Sequence, residues 1–300
     1  MNTWELDLSR GWRIGLAFWI VLLLLTIGLA VLTIINPVTV WTFLMGVGAF
    51  ISLLATVQMG YWLWGLLNAQ YTMDRNALVI RWGQIEHQIP MVGVRAVLSG
   101  AEISDLRMRP GVRWPGHFVG YGETADLGPI LFYATEPLEQ QVVVQTDGMA
   151  YAISPVDLEA FLLAFRERLE MGPTQEVEES SQRPAVLDWP IWEDHFALYN
   201  LGGSALLLLL LLGLLSWRYP YLPSEIALRL GPQGQALLMA SSGRIFYLML
   251  LGIIFLLINS TLGLLLYRRE RMVAYFLWGG LLALQGGLWV AVISILTHQW

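Results

Sequence analysis

Four stretches of the chain contain no Asp, Glu, Arg or Lys and are rich in apolar residues: 14–73, 196–217, 245–267 and 272–300. A membrane-spanning helix needs roughly 20 consecutive apolar residues. The first stretch is long enough for two helices and each later stretch for one, so the pattern predicts five membrane-spanning helices. Proline cannot continue a helix, so Asn36-Pro37 divides the first stretch into helices at 14–35 and 39–67.

Between the two apolar blocks the pattern changes to short β-rich runs that are bounded by turn residues. Asp147-Gly148 predicts a hairpin turn leading to Tyr151, because a tight turn of this type needs positive φ. Several strands at close spacing favour a sandwich or a small barrel. The predicted strands are 77–82, 84–89, 92–97, 130–133 and 141–145.

One amphipathic helix is predicted directly after these strands. Ser154 suits the N-cap and Pro155 the first helical position, and Gly172-Pro173 ends the pattern. We expect the apolar stripe of this helix to pack on the strands. The stripe consists of Leu158, Phe161, Leu162, Phe165 and Leu169.

Charge is unevenly distributed along the chain. Residues 68–195 hold nineteen of the twenty-three acidic residues but only nine of the seventeen Arg, which argues against a nucleic-acid partner. The absence of Cys excludes disulfides and thiolate chemistry. Arg residues near the ends of membrane spans are retained in the cytoplasm. Arg10, Arg13 and the Arg-rich turn at 268–271 therefore predict that the N-terminus and the insert are cytoplasmic and that Trp300 is outside.

The insert resembles the bacterial pleckstrin-homology (PH) domains of multi-pass membrane proteins. The likeness rests on the order of its elements and on the phrases at 115–120, 131–135 and 143–161, above all on the strand-to-helix junction with Tyr151, Ser154 and Phe161. The resemblance implies a β-sandwich that is capped by one helix and acts mainly in binding and assembly.

A second resemblance covers 219–295. Tyr219, Pro223, the glycines at 231 and 234, and Asn259 are similar to a small transmembrane domain of bacterial immunity and signalling proteins. Members of that family have His and Asp after the proline, where this chain has Leu-Arg-Leu at 228–230.

These patterns predict an α+β fold in which a cytoplasmic PH-like β-sandwich is inserted between two and three transmembrane helices. The Glu-, Gln- and Ser-rich residues after the amphipathic helix are typical of a flexible tether. The predicted parts are an N-terminal hairpin at 1–68, a PH-like domain at 69–171, an acidic flexible linker at 172–190 and a three-helix domain at 191–300.

An arginine cluster in a Pro- and Gly-rich loop is the candidate lipid-headgroup site. Guanidinium groups bind phosphate in bidentate fashion, and tryptophan favours the membrane interface. The alternative is a basic loop that only follows the charge bias of the cytoplasmic side. The residues are Arg107, Arg109, Arg113 and Trp114.

Polar residues inside the predicted spans are candidates for interhelical contacts, since such side chains commonly bond a neighbouring helix. They are Gln58, Asn259 and Gln285, with Asn200 as a further exception. The four histidines, at 87, 117, 195 and 298, have no metal-ligand spacing. We therefore expect neither a metal nor another cofactor.

No catalytic constellation accompanies these features, so we expect a non-enzymatic protein of the bacterial cytoplasmic membrane. The leading hypothesis is an assembly role through the PH-like module, as a homo-oligomer or as an accessory or scaffold subunit of a membrane complex. The alternative is an envelope-stress sensor or toxin-immunity protein that recognises lipid or peptide. The expected partners are membrane lipids and other membrane subunits or a second copy of the chain.

Overall fold

The computed structural model describes residues 2–109, 111–175, 177–184, 189–230 and 236–297. Contacts divide the chain into two compact units. One comprises Met1–Thr26 and Ile51–Asp188, and the other Ile27–Phe50 and Trp189–Trp300. The features predicted at Gly231, Gly234, His298 and Trp300 lie outside the described residues.

The chain begins with a short strand and two long helices: β1 (Asn2–Trp4), α1 (Ser9–Ile35) and α2 (Val40–Leu67). Asn36 closes α1 by donating its side-chain amide to the Leu32 carbonyl at 2.7 Å. Thr39 and Thr42 open α2, because the hydroxyl of each accepts the backbone N–H of the other at 3.3 and 2.8 Å. These caps satisfy backbone groups that a helix end leaves free, so α1 ends and α2 begins at the predicted break.

The polar side chains along the contact between α1 and α2 are hydrogen-bonded. The hydroxyls of Thr26 and Ser52 lie 2.8 Å apart, and the Trp19 indole donates to the Thr56 carbonyl at 3.1 Å. In a bilayer such groups have no water to bond, so these contacts favour the pairing of the two helices.

β1 and the strands that follow α2 form two sheets. The first has the strand order β1-β2-β3-β4-β12, and the second has the order β5-β10-β11-β9-β8-β6, with β7 also paired to β8. All neighbours are antiparallel except β9 and β11, which are parallel. The elements are β2 (Gln70–Met73), β3 (Ala77–Trp82), β4 (Ile85–Pro90), β5 (Val94–Ser99), β6 (Arg107–Met108), β7 (Val112–Trp114), β8 (His117–Thr124), β9 (Gly128–Ala134), β10 (Val142–Thr146), β11 (Ala150–Ile153), α3 (Leu158–Met171) and β12 (Ser180–Gln182).

The larger of two apolar clusters among the described residues of this domain joins both sheets and α3. Ile80 from the first sheet, Val144 from the second and Phe161 from α3 are fully buried within it. Trp4 of β1 adds an edge-to-face contact with Phe161 at 5.2 Å between ring centroids. Burying each large apolar side chain stabilises the domain by roughly 1.5–3 kcal/mol. The apolar stripe of α3 therefore has the packing role that its spacing predicts.

Two local predictions within this domain need correction. Asp157, not Ser154, caps α3, because its carboxylate accepts the Ala160 N–H at 2.9 Å. The Ser154 hydroxyl instead accepts the Thr135 N–H at 2.8 Å. The β10–β11 hairpin forms at Asp147-Gly148, but Gly148 is not among the residues with positive φ.

The segment predicted as a linker, 172–190, is attached to the domain at several described residues. Arg75 donates to the carbonyls of Met171 and Gly172 at 2.6 and 2.7 Å. The Asn76 side chain accepts the Thr174 N–H at 2.8 Å, and β12 pairs with β4. Gly172 and Thr174 are thus held at the β2–β3 turn and Ser180–Gln182 pair with the edge of β4, whereas the flexibility predicted for the rest of 172–190 stays a prediction.

Besides parts of α1 and α2, the second unit contains three long helices and a hairpin between the first two of them. Trp278 is fully buried against Gly263, where a Cβ would lie 2.2 Å from its indole nitrogen. In the described part of the chain five helical segments are long and apolar enough to span a membrane, which confirms the α+β class with five such helices. The elements are α4 (His195–Arg218), β13 (Glu225–Leu230), β14 (Ala236–Ser241), α5 (Phe246–Leu266) and α6 (Arg271–Thr297).

Candidate functional site

The turn between β7 and β8 lies against the start of α1. Gly116 has φ of +89°, and a Cβ added there would lie 2.2 Å from the Gly11 nitrogen. Trp114 donates its indole N–H to the Gly11 carbonyl at 2.9 Å, and its ring stacks on His117 at 3.8 Å between centroids. Trp114, predicted to sit at the lipid interface, thus connects the two-sheet domain to α1.

The three arginines of the predicted cluster do not converge. Arg107 lies exposed on β6, and Arg109 pairs with Glu123 at 3.4 Å. Arg113 donates to the Arg109 carbonyl and to the sulfur of Met108. Of the three, Arg113 lines the groove described next, while a phosphate site shared by the whole loop stays a prediction.

Arg113 instead shares a groove with Arg10 of α1. The groove has a volume of about 390 Å³, and the rings of Trp114 and Phe118 form part of its wall. Glu136 contributes the one acidic side chain, so the wall carries a net positive charge of one. A groove with two guanidinium groups and an aromatic wall is suited to a phosphate that is attached to an apolar body.

Sequence reasoning missed Arg10 as a member of this site. The available signal was its position just before the first apolar stretch, which marks a residue at the interface. Its partner could not be identified, because Arg10 and Arg113 are brought together by the Gly11–Gly116 contact between distant segments.

The buried histidines of the domain do not add charge to the groove at neutral pH. Burial lowers the pKa of His117 to about 4, although its hydrogen bond to the Val112 carbonyl opposes this shift. Burial, and to a smaller extent the charge of Arg183, lowers the pKa of His87 to about 4. His87 lies 2.9 Å from the Tyr133 hydroxyl, so both histidines serve as neutral core residues.

The polar residues predicted inside the spans have three different environments. Gln285 of α6 is fully buried and donates to the Gly252 carbonyl of α5 at 3.3 Å, which is an interhelical contact. Asn259 donates within its own helix, to the Phe255 carbonyl at 2.9 Å. Gln58 lies on the exposed side of α2, and the described residues provide no hydrogen-bond partner for its amide.

Four glycines of α6 lie on the side of the helix that packs against no other residue of the described chain. A Cβ added at any one of them would meet no atom within 4 Å. By contrast, a Cβ at Gly252 of α5 would lie 2.8 Å from both Leu208 and Leu288, so packing within the unit explains that glycine. The four open glycines are Gly279, Gly280, Gly286 and Gly287.

Comparison with protein families identifies the inserted domain. Residues 69–169 match the family model described as Bacterial PH domain. The chain carries a bacterial PH domain. Comparisons with curated proteins and with solved structures gave no match.

The matched residues of the PH domain run from the start of β2 to the end of α3. The strands β1 and β12 lie outside them, yet they occupy the two edges of the first sheet. Each is only three residues long, and a short edge strand offers little template for pairing with another chain. They also connect the PH domain to the segments that precede and follow it in the chain.

Proposed function

We propose that this chain is a non-enzymatic protein of the bacterial cytoplasmic membrane whose PH domain serves assembly, either as a homo-oligomer or as an accessory or scaffold subunit of a larger membrane complex. In this proposal the N-terminus and the PH domain are cytoplasmic and the C-terminus is outside, as the arginine distribution favours.

Gln58 is the observation that carries the proposal. Its amide is exposed in the interior of α2, one of the helices long enough to span a membrane. A primary amide that faces hydrocarbon without a partner is unfavourable, whereas the same amide bonded to a second helix stabilises a complex by about 1 kcal/mol. The open glycines of α6 support the same conclusion, because small residues let another helix approach closely.

A helix that binds at Gln58 would also position the PH domain. α2 ends at Leu67 and β2 begins at Gln70, while Trp114 and β1 connect the same domain to the residues around the start of α1. The domain is therefore held to this end of the hairpin at more than one place. A partner in the membrane thus determines where the domain is presented in the cytoplasm.

Replacing Gln58 by Leu is expected to weaken association about fivefold, as the loss of roughly 1 kcal/mol implies. The measurement is the native mass of the full chain in mild detergent, with identification of the proteins that co-purify. Asn259→Leu is the matched control, because the Asn259 amide is bonded within its own helix. A monomer without partners for the unsubstituted chain would contradict the proposal.

The Arg10–Arg113 groove favours a second candidate function, recognition of an anionic lipid headgroup by a sensor of the envelope state. The groove lies where α1 begins, so a headgroup bound there would contact both the membrane helix and the PH domain. Its two guanidinium groups would bind the phosphate, and the aromatic wall would contact the adjoining glycerol region.

For this candidate, Arg10→Gln combined with Arg113→Gln is expected to reduce retention of phosphatidylglycerol about tenfold, since two charge-assisted contacts are lost. Lipid binding is measured by native mass spectrometry on the delipidated full chain. Arg13→Gln combined with Arg95→Gln removes the same charge away from the groove and serves as the control. An equal loss of lipid retention in the two double variants would mean that lipid binding depends only on the net charge of the protein and not on the groove.

A further inference from the structure

Asp194 connects the ends of all three helices in the second unit. One carboxylate oxygen caps α4 by accepting the Ala197 N–H at 3.1 Å. The other accepts the hydroxyl of Tyr267, which follows α5, at 2.7 Å, and also the hydroxyl of Tyr275 in α6. These contacts fix the carboxylate and both phenol rings, so their positions are set before any ligand binds.

A pocket of about 320 Å³ opens beside this cluster and has walls of opposite charge. Glu193, Asp194 and Arg271 all line it, together with His195 and the two tyrosines. Arg271 stands over the Tyr267 ring, 5.3 Å from its centroid. Neither carboxylate forms an ion pair with Arg271 in the described structure, so the opposite charges remain separate within one pocket.

The pocket lies at headgroup depth if the three helices span a bilayer. α4 begins at His195, α5 ends at Leu266 and α6 begins at Arg271, so the pocket is at one common end of the three. The Arg268 guanidinium stacks over Trp189 at 5.6 Å, and Trp192, which directly precedes Glu193, is largely exposed. Arginine and tryptophan together are typical of the membrane interface.

The charges of the wall restrict the ligand. A purely anionic headgroup would face the two carboxylates, and a simple cation would face Arg271. A zwitterion satisfies both kinds of charge in the wall, because a phosphate bonds a guanidinium and an ammonium bonds a carboxylate. Tyrosine rings add a cation–π contact for the ammonium.

We propose that this pocket binds the headgroup of a zwitterionic phospholipid, with its phosphate on Arg271 and its ammonium on Glu193 and Asp194. Phosphatidylethanolamine is the probe for this chemistry, because its primary ammonium donates hydrogen bonds to carboxylates. The site shares no residue with the Arg10–Arg113 groove or with the contact proposed at Gln58. A negative result at this pocket can therefore be told apart from a negative result for the proposed function.

The test uses the full chain, delipidated in mild detergent, and titrates lipids of equal acyl chains by native mass spectrometry. Phosphatidylethanolamine is expected to bind the unsubstituted protein about tenfold more tightly than phosphatidylglycerol. Arg271→Gln and Glu193→Gln should each reduce that preference severalfold. Arg269→Gln and Glu270→Gln make the same two charge changes between α5 and α6 without lining the pocket, and they should leave that preference unchanged.

Two results would overturn the inference. One is equal affinity of the unsubstituted protein for both lipids, and the other is an equal response of Arg271→Gln and Arg269→Gln. Soluble glycerophosphoethanolamine carries the same phosphodiester and ammonium charges without acyl chains and is expected to compete only at far higher concentration. Competition at the same concentration as the lipid would exclude a lipid as the ligand and assign the pocket to a soluble zwitterion.

Discussion

Replacing Gly11 by Ala is expected to destabilise the first unit by about 2 kcal/mol, even though alanine favours a helix by roughly 1 kcal/mol over glycine. A Cβ at this position of α1 would lie 2.1 Å from the Gly116 carbonyl oxygen. Because the atom that it meets is backbone, no side-chain rotation relieves the overlap. The free energy of unfolding is measured by hydrogen exchange of the β7–β8 turn in the detergent-solubilised chain.

Gly28→Ala provides the control within the same helix. A Cβ at Gly28 would meet no atom within 4 Å, so the helix propensity alone should act and stability should stay the same or rise slightly. If Gly11→Ala behaved like Gly28→Ala, the PH domain would not rest on α1 at Gly116. The different outcomes expected for two equal substitutions make this a test of the contact rather than of helix formation.

The positions of the long elements could be predicted because their patterns are local. The uncharged stretches located five helices, and the run Ala77–Trp82 forms the predicted strand β3. The strands β1 and β12 could not be found, since three residues such as Asn2–Trp4 or Ser180–Gln182 show no periodicity. They form because an edge of a preformed sheet is available to pair with them.

The candidate sites were harder to predict, since they join residues that are distant in sequence. The loop with Arg107, Arg109 and Arg113 appears as one cluster in the sequence, but hairpin formation directs these side chains to different neighbours. Asp194 and Tyr267 carry no shared pattern and meet only through helix packing. The sequence pattern therefore located the candidate loop, but it could not identify residues from other segments that lie against that loop in the fold.

Replacing Asp194 by Ala is expected to destabilise the junction of α4, α5 and α6 by about 2 kcal/mol. The substitution removes the α4 cap and leaves the hydroxyl of the buried residue Tyr267 without its acceptor. Amide exchange at the start of α4 should then be roughly 30-fold faster in the full chain. Glu270→Ala removes the same charge close to α6 and is expected to leave that exchange unchanged.

Ionisation of the Asp194 carboxylate is expected to make the stability of this junction depend on pH. Burial raises the pKa of Asp194, but hydrogen bonds from Tyr275, Tyr267 and the start of α4 together lower it below the usual 3.8. The ionised form is therefore favoured in the folded state, so its contribution is present above about pH 4 and is lost as the pH falls through the folded pKa. Protection at the start of α4 should decrease over that range in the unsubstituted chain. If Asp194→Ala showed the same decrease, another group would be responsible.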